Sequence, residues 1–234
     1  MKIKFATMTG PNDATSVNEL LEISDEFPFV EWGVLVSESQ TGATRFPTTD
    51  WIHKFCEHEA RRSLHLCGRW LRDLCNGGWT VPDNYNVHRF QRMQLNFHGY
   101  LHIIKPAFFS VLKDELRPRQ FILQLDGVND SVLKECLRHG IDACPIFDQS
   151  HGAGVLPKTW PSPITDVLCT YAGGLGPDNI EAQLQAIEWV VGDAEICVDM
   201  ETKIRSNNDA TFDLDKVRFC LKEIAHYVPK SFRQ

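Results

Sequence analysis

The chain lacks the features that mark several large protein classes. None of its eight cysteines falls in a CxxC pair, so neither a secreted disulfide framework nor a zinc knuckle is indicated. No window approaches the roughly 20 apolar residues that span a membrane, and the start, Met1-Lys2-Ile3-Lys4-Phe5, has no long apolar signal region. Basic residues are short: 24 Lys plus Arg against 31 Asp plus Glu give a formal charge of −7, which argues against nucleic acid as a partner. Glycine at 15 and proline at 12 are too few for a low-complexity chain. What is present is an ordinary globular composition, with 43% hydrophobic and 24% charged residues over 234 positions. A chain of that length buries roughly 70% of its unfolded surface, enough for one substantial core or two small ones. Several cysteines sit in apolar strings, as in Ala143-Cys144-Pro145-Ile146-Phe147, where a free thiol acts as a small hydrophobe. A soluble protein of the reducing cytoplasm is expected, with no membrane and no nucleic acid among its partners.

Eight short apolar runs read as buried strands, beginning near Ile3, Trp32, Ser63, Arg92, Gln120, Ala143, Asp166 and Ala194. Continuous apolarity suits parallel strands covered on both faces. The starts lie about 23 to 31 residues apart, room for a strand, a crossover helix and two loops. Helices are expected after Asn12-Asp13, through Val17, Leu20, Leu21 and Ile23, and after Thr48-Thr49-Asp50. Others are expected after Asn129-Asp130, from Pro177-Asp178 through Leu184, Ile187 and Trp189, and from Asp213 through Val217, Phe219, Leu221 and Ile224. Residues 75–88 and 206–212 read as polar breaks. The alternation predicts an α/β fold, one (βα)8 TIM barrel over residues 1–234. The rival is a doubly wound sheet, which usually carries a nucleotide loop after its first strand. Here Thr9-Gly10-Pro11-Asn12-Asp13 holds neither GxGxxG nor GxxxxGK[ST].

In such a barrel the active site lies at the carboxyl ends of the strands. Those ends carry Thr7 and Thr9, Ser37, His65 and Cys67, Asn96 and His98, Gln124 and Asp126, Asp148, Thr170 and Gly173, then Asp199 and Glu201. The string Ala172-Gly173-Gly174-Leu175-Gly176-Pro177-Asp178-Asn179-Ile180 leaves the seventh strand for a helix. Glycines there let backbone amides approach an anion beside a helix N-terminus, although a strained turn would use the same residues. Asp148 precedes Gln149-Ser150-His151-Gly152-Ala153-Gly154. It either carries acid or base chemistry at the mouth or simply caps the loop.

Together these two loops resemble phosphoribosylanthranilate isomerase, a (βα)8 enzyme, and the resemblance spans nearly the whole chain. The family's seventh-strand Ala-Gly-Gly-Leu-Thr-Pro-Glu-Asn-Val is similar to Ala172 to Ile180. Asn96-Phe97-His98-Gly99, Phe147-Asp148-Gln149, Val198-Asp199-Met200 and Asp215 to Phe219 resemble further family segments in the right order. The resemblance implies a barrel of the ribulose-phosphate-binding type and a small-molecule anionic substrate, with no cofactor and no bound metal. It implies Asp148 as general acid, Asp199 as a substrate-contacting carboxylate, Gly173 and Gly174 as phosphate-binding backbone, and Arg45 as partner of a substrate carboxylate.

Two departures stand out. Ala6 takes the place of the family's general-base cysteine, and a methyl group cannot accept a proton. Glu201-Thr202-Lys203 replaces Ser-Ser-Gly in the second half of the phosphate site. That puts a carboxylate where phosphate would be repelled unless Arg45, Lys203 and Arg205 offset it. His98, His65, Asp126 and Glu201 are the replacement bases on offer. The sequence therefore reads first as an isomerase-like enzyme acting on a phosphorylated or anionic sugar derivative. Catalytic candidates are Asp148, Asp199, His98 and Asp126, and substrate contacts are Arg45, Gly173, Gly174, Thr202 and Lys203. Alternatives are a metal-dependent sugar-phosphate epimerase or lyase on the same scaffold, its ion held by His65, His98, Asp126 and Asp148, and a non-catalytic anion-binding barrel. Neither the substrate nor the oligomeric state is legible.

Overall fold

The structure, a computed structural model, describes residues 1–96, 101–116, 120–125, 130–150 and 153–230. The eight apolar runs form eight strands: β1 (Lys2–Thr9), β2 (Val30–Val36), β3 (Arg62–Leu66), β4 (Arg92–Leu95), β5 (Gln120–Leu125), β6 (Ala143–Phe147), β7 (Cys169–Tyr171) and β8 (Glu195–Met200). Each pairs in parallel with the next, and β8 pairs with β1, closing a barrel in sequence order. The chain is thus a (βα)8 barrel.

The helices are α1 (Val17–Glu26), α2 (Thr49–Cys56), α3 (Gly68–Cys75), α4 (Pro106–Ser110, running into a π turn over Val111–Glu115), α5 (Asp130–Arg138), α6 (Ile180–Val191) and α7 (Leu214–Ile224). Their apolar stripes meet the outer strand surfaces in one core, to which α1 gives Val17, Leu20 and Ile23 and α7 gives Val217, Cys220, Leu221 and Ile224. Thr48 caps α2 by accepting from Trp51 N at 3.4 Å, and Asp213 caps α7 by accepting from the amides of Asp215 and Lys216. All eight cysteines are free thiols, seven of them buried.

Several local expectations change. The cap of α1 is Ser16, while Asn12 folds a turn with Thr15 and Asp13 accepts from Thr48. Trp189 and Phe219, expected on buried stripes, are exposed, Trp189 at 90%. Strand β7 starts at Cys169 because Asp166 sits at φ 61° in a turn that no strand can contain. The break at residues 206–212 contains a hairpin, β9 (Arg205–Ser206) with β10 (Thr211–Phe212), turning through Asn207, Asn208 and Asp209, all left-handed. Among the described residues no helix joins β6 to β7, and residues 153–168 run as irregular chain across the rim.

The barrel interior is polar where such interiors are usually branched aliphatic. Thr7, Thr9, Glu31, Ser63, His65, Arg92, Gln94, Thr170 and Asp199 are all buried. Arg92 Nη1 donates to Glu31 Oε1 at 2.9 Å, and the same oxygen accepts from Thr7 Oγ1 at 2.9 Å. Burial alone would lower the Arg92 pKa, but Glu31 outweighs it and the guanidinium is held charged.

Candidate active site

The polar interior opens at the carboxyl ends of the strands, where Gln94, Asp148, Ser150, Gly154, Gly173, Gly174, Asp199, Glu201, Thr202 and Lys203 surround a cavity of about 40 Å³. That is room for an oxyanion or a few waters. At its floor, Thr9 Oγ1 lies 3.2 Å from Asp199 Oδ2, and His65 Nε2 lies 3.9 Å from the same oxygen. Gly33 makes this meeting possible, since a Cβ there would overlap Thr9 Oγ1 and come within 3.0 Å of the His65 ring. Burial raises the Asp199 pKa well above its ordinary 3.8, and the charges of Glu201 and Asp148 raise it further against the bond from Thr9. Burial drives the His65 pKa down to about 3, with Arg92 adding to the effect. The floor therefore sets a buried carboxyl of raised pKa beside a neutral imidazole whose buried Nε2 has no hydrogen-bond partner among the described residues.

Asp148 follows β6 at the rim. Its Oδ1 accepts from Ser150 N at 2.9 Å and Ser150 Oγ at 2.8 Å, so the capping role is realised while the side chain still lines the cavity. Arg45 reaches across the mouth to Glu201 and to Asp209 Oδ2, the latter at 2.7 Å, and touches Thr202 Oγ1 at 3.3 Å. Burial pushes the Glu201 pKa up, and Arg45 pulls against it. The charge expected to repel an anion thus has a cation beside it. Arg205 is spent on the fold, donating to the carbonyls of Gly10, Thr44 and Asp209. Lys203 is exposed, with its stem against Gly176.

Gly173 and Gly174 have φ of 107° and 72°, and a Cβ on Gly174 would come within 2.7 Å of Leu156 N. The glycines therefore admit the chain at 154–156 as well as any ligand. Asn179 ties the turn by donating to Gly174 O at 2.9 Å and accepting from Gly176 N. Among the described residues, the amides of Gly173, Gly174 and Leu175 meet no acceptor.

Ala6 lies three residues before the end of β1, packed in the core, and its amide donates to Phe29 O. The β1 residue that faces the cavity floor is Thr9, followed by Gly10. His98 and Asp126 lie outside the described residues. Among the described residues, no group of three or more His, Cys, Asp or Glu is clustered closely enough to hold an ion. Among the described residues no helix is long and apolar enough to cross a membrane. The Thr9, Gly33 and His65 cluster escaped the sequence reading, because only strand register reveals that these three converge.

The fold and the polar mouth define a (βα)8 barrel open at the carboxyl ends of its strands. Solved structures give the nearer resemblance, to phosphoribosylanthranilate isomerases. The enzyme from Thermus thermophilus superposes with a TM-score of 0.61 and 15% identity, covering 95% of this chain and 98% of that one. The Pyrococcus furiosus enzyme gives 0.58 and 14%, and the Thermotoga maritima enzyme 0.56 and 10%, each with 95% and 98% coverage. At these identities the likeness is one of fold, between widely divergent chains. No protein-family model and no curated protein matches the sequence.

Proposed function

We propose that the chain is an acid–base enzyme of the isomerase type, acting at the carboxyl face of the barrel on an anionic sugar derivative. The observation that carries this reading is the buried Asp199 on the cavity floor, its pKa raised by burial, with Asp148 across the same small space. Burial raises the Asp199 pKa, with the charges of Glu201 and Asp148 adding to it, and a carboxyl so raised is suited to give a proton. Asp199 is the proton donor in this reading. The resemblance gives that role to Asp148, but Asp148 sits half-exposed at the rim, held by Ser150, and is better placed to receive a proton from substrate. His65, a neutral imidazole with Nε2 3.9 Å from Asp199 Oδ2, has no spare proton to give, so Asp199 regains its proton from Asp148 across the cavity or from solvent at the mouth. The free amides of Gly173, Gly174 and Leu175, with Thr202 and Lys203, are the proposed seat of the substrate's anionic group.

The neighbours' printed substrate supplies a first assay, the isomerisation of N-(5'-phosphoribosyl)anthranilate. Asp199→Asn and Asp148→Asn are each expected to lower kcat/KM by about 10²- to 10⁴-fold. Turnover unchanged in both variants would discard the reading. Thr9→Cys places a thiol where Thr9 now meets Asp199 and is expected to raise that turnover, whereas Ala6→Cys, inside the core, is not. Were Thr9→Cys without effect, the chemistry here would not be that of the neighbours.

A further inference from the structure

We propose a second ligand site on the opposite, amino-terminal face of the barrel, built for a small organic anion with an apolar or planar body. An open cavity of about 500 Å³ lies there, lined by Lys4, Phe5, Arg61, Arg92, Lys113 and Asp142 among others. These residues stand at or just before the starts of β1, β3, β4 and β6 or on the turn after α4, so the cavity is separated from the mouth by the length of the barrel.

The charges within it do not balance. Lys4 is matched by Glu195 at 3.2 Å and Arg92 by Glu31 at 2.9 Å. Among the described residues Arg61 and Lys113 have no ion pair, and the one carboxylate on the wall, Asp142, accepts from Gln120 Nε2 at 3.0 Å. A surplus of positive charge is thus gathered at one spot of a chain whose formal charge is −7.

Arg61 is the centre of this surplus. Its guanidinium carbon lies over the Phe5 ring, 3.9 Å from the centroid, and among the described residues none of its side-chain N–H groups has a hydrogen-bond partner. A stacked guanidinium keeps its donor edge free, and that edge matches a carboxylate or phosphate through two parallel bonds. Burial makes the unmatched charge costly, for it lowers the Arg61 pKa, with Glu31 opposing and Arg92 adding to the effect. An arriving oxyanion would relieve that cost. Phe5, Leu112, Phe121, Ile141 and Leu168 supply the apolar wall for the rest of the ligand.

The test is calorimetric titration of the full chain with benzoate, and separately with inorganic phosphate, in a buffer free of other oxyanions. Benzoate is expected to bind saturably at one site, about tenfold more weakly in Arg61→Gln and undiminished in Asp148→Asn at the other face. Phosphate binding that depends on Arg61 but exceeds that of benzoate would keep the anion site and overturn its apolar character. Absence of saturable binding by either probe, or binding indifferent to Arg61→Gln, overturns the proposal. Among the described residues the Arg61 side chain holds no hydrogen bond or ion pair, and its stack on Phe5 is partly exposed, so Arg61→Gln is expected to stay folded with a Tm close to the parent's. Should it unfold instead, exposed Lys113→Gln serves, expected to weaken benzoate a few-fold, and equal affinity in that variant overturns the proposal.

Discussion

Burying the Asp199 carboxyl costs stability wherever the group must ionise. Its folded pKa is raised above the ordinary 3.8, so between the two values the native state binds more protons than the unfolded chain. Stability is then fullest below about pH 4 and falls as pH climbs from there toward the folded value. Asp199→Asn, which removes the ionisation, is expected to match the parent in Tm at about pH 4 and exceed it at pH 7, while losing activity. A Tm difference independent of pH would show that the carboxyl is ionised in the folded protein. Gly33 faces the opposite constraint. A methyl group there must overlap Thr9 Oγ1 and crowd His65, and overpacking of this kind costs about 1–3 kcal/mol. Gly33→Ala is expected to lower the urea midpoint accordingly and to displace Thr9 from Asp199.

Among the elements, what the sequence disclosed depended on whether a signal was local. Strands buried on both faces must be apolar throughout, so the runs at Trp32, Gln120 and Ala143 announced β2, β5 and β6 within a residue or two. The run from Asp166 misled because its first residues are as apolar as a strand, while a left-handed Asp166 keeps them out of the ladder. The cap of α7 was plain, since an Asp before an amphipathic stripe accepts from the first amides of the helix it opens, a contact within a few residues. Asp213→Ala is expected to cost about 1 kcal/mol, read as a shift in denaturant midpoint. Burial would raise the Asp213 pKa, but bonds from Ser206 and from the amides of Lys216 and Asp215 hold it below the ordinary value. That contribution is therefore present above about pH 4 and lost as pH falls through the lowered folded value. The Gly-rich turn after β7 was equally visible. That residues 154–156 lie against it was not, because the contact crosses two loops.

At the scale of the molecule, the barrel carries polar chemistry along its axis, from Arg61 and Arg92 at one end through Glu31 and Thr7 to Asp199 at the other. Composition hid this, because an average charge content says nothing of which charges are inside. Register and closure brought them together, and neither can be read from a strand taken alone. The connection from β6 to β7 has one further consequence. Every other pair of successive strands is joined through a helix packed on the core, so cutting there would sever a cooperative unit. Between Pro163 and Asp166 the chain carries no helix, and Ile164, Thr165 and Asp166 are exposed. Two polypeptides, 1–163 and 164–234, are therefore expected to reassemble when co-expressed, β7 rejoining β6 and β8 rejoining β1, with co-purification of the untagged piece as the readout. The same division placed inside α5 should yield no complex, making the barrel a six-plus-two mosaic in the way its pieces can be exchanged.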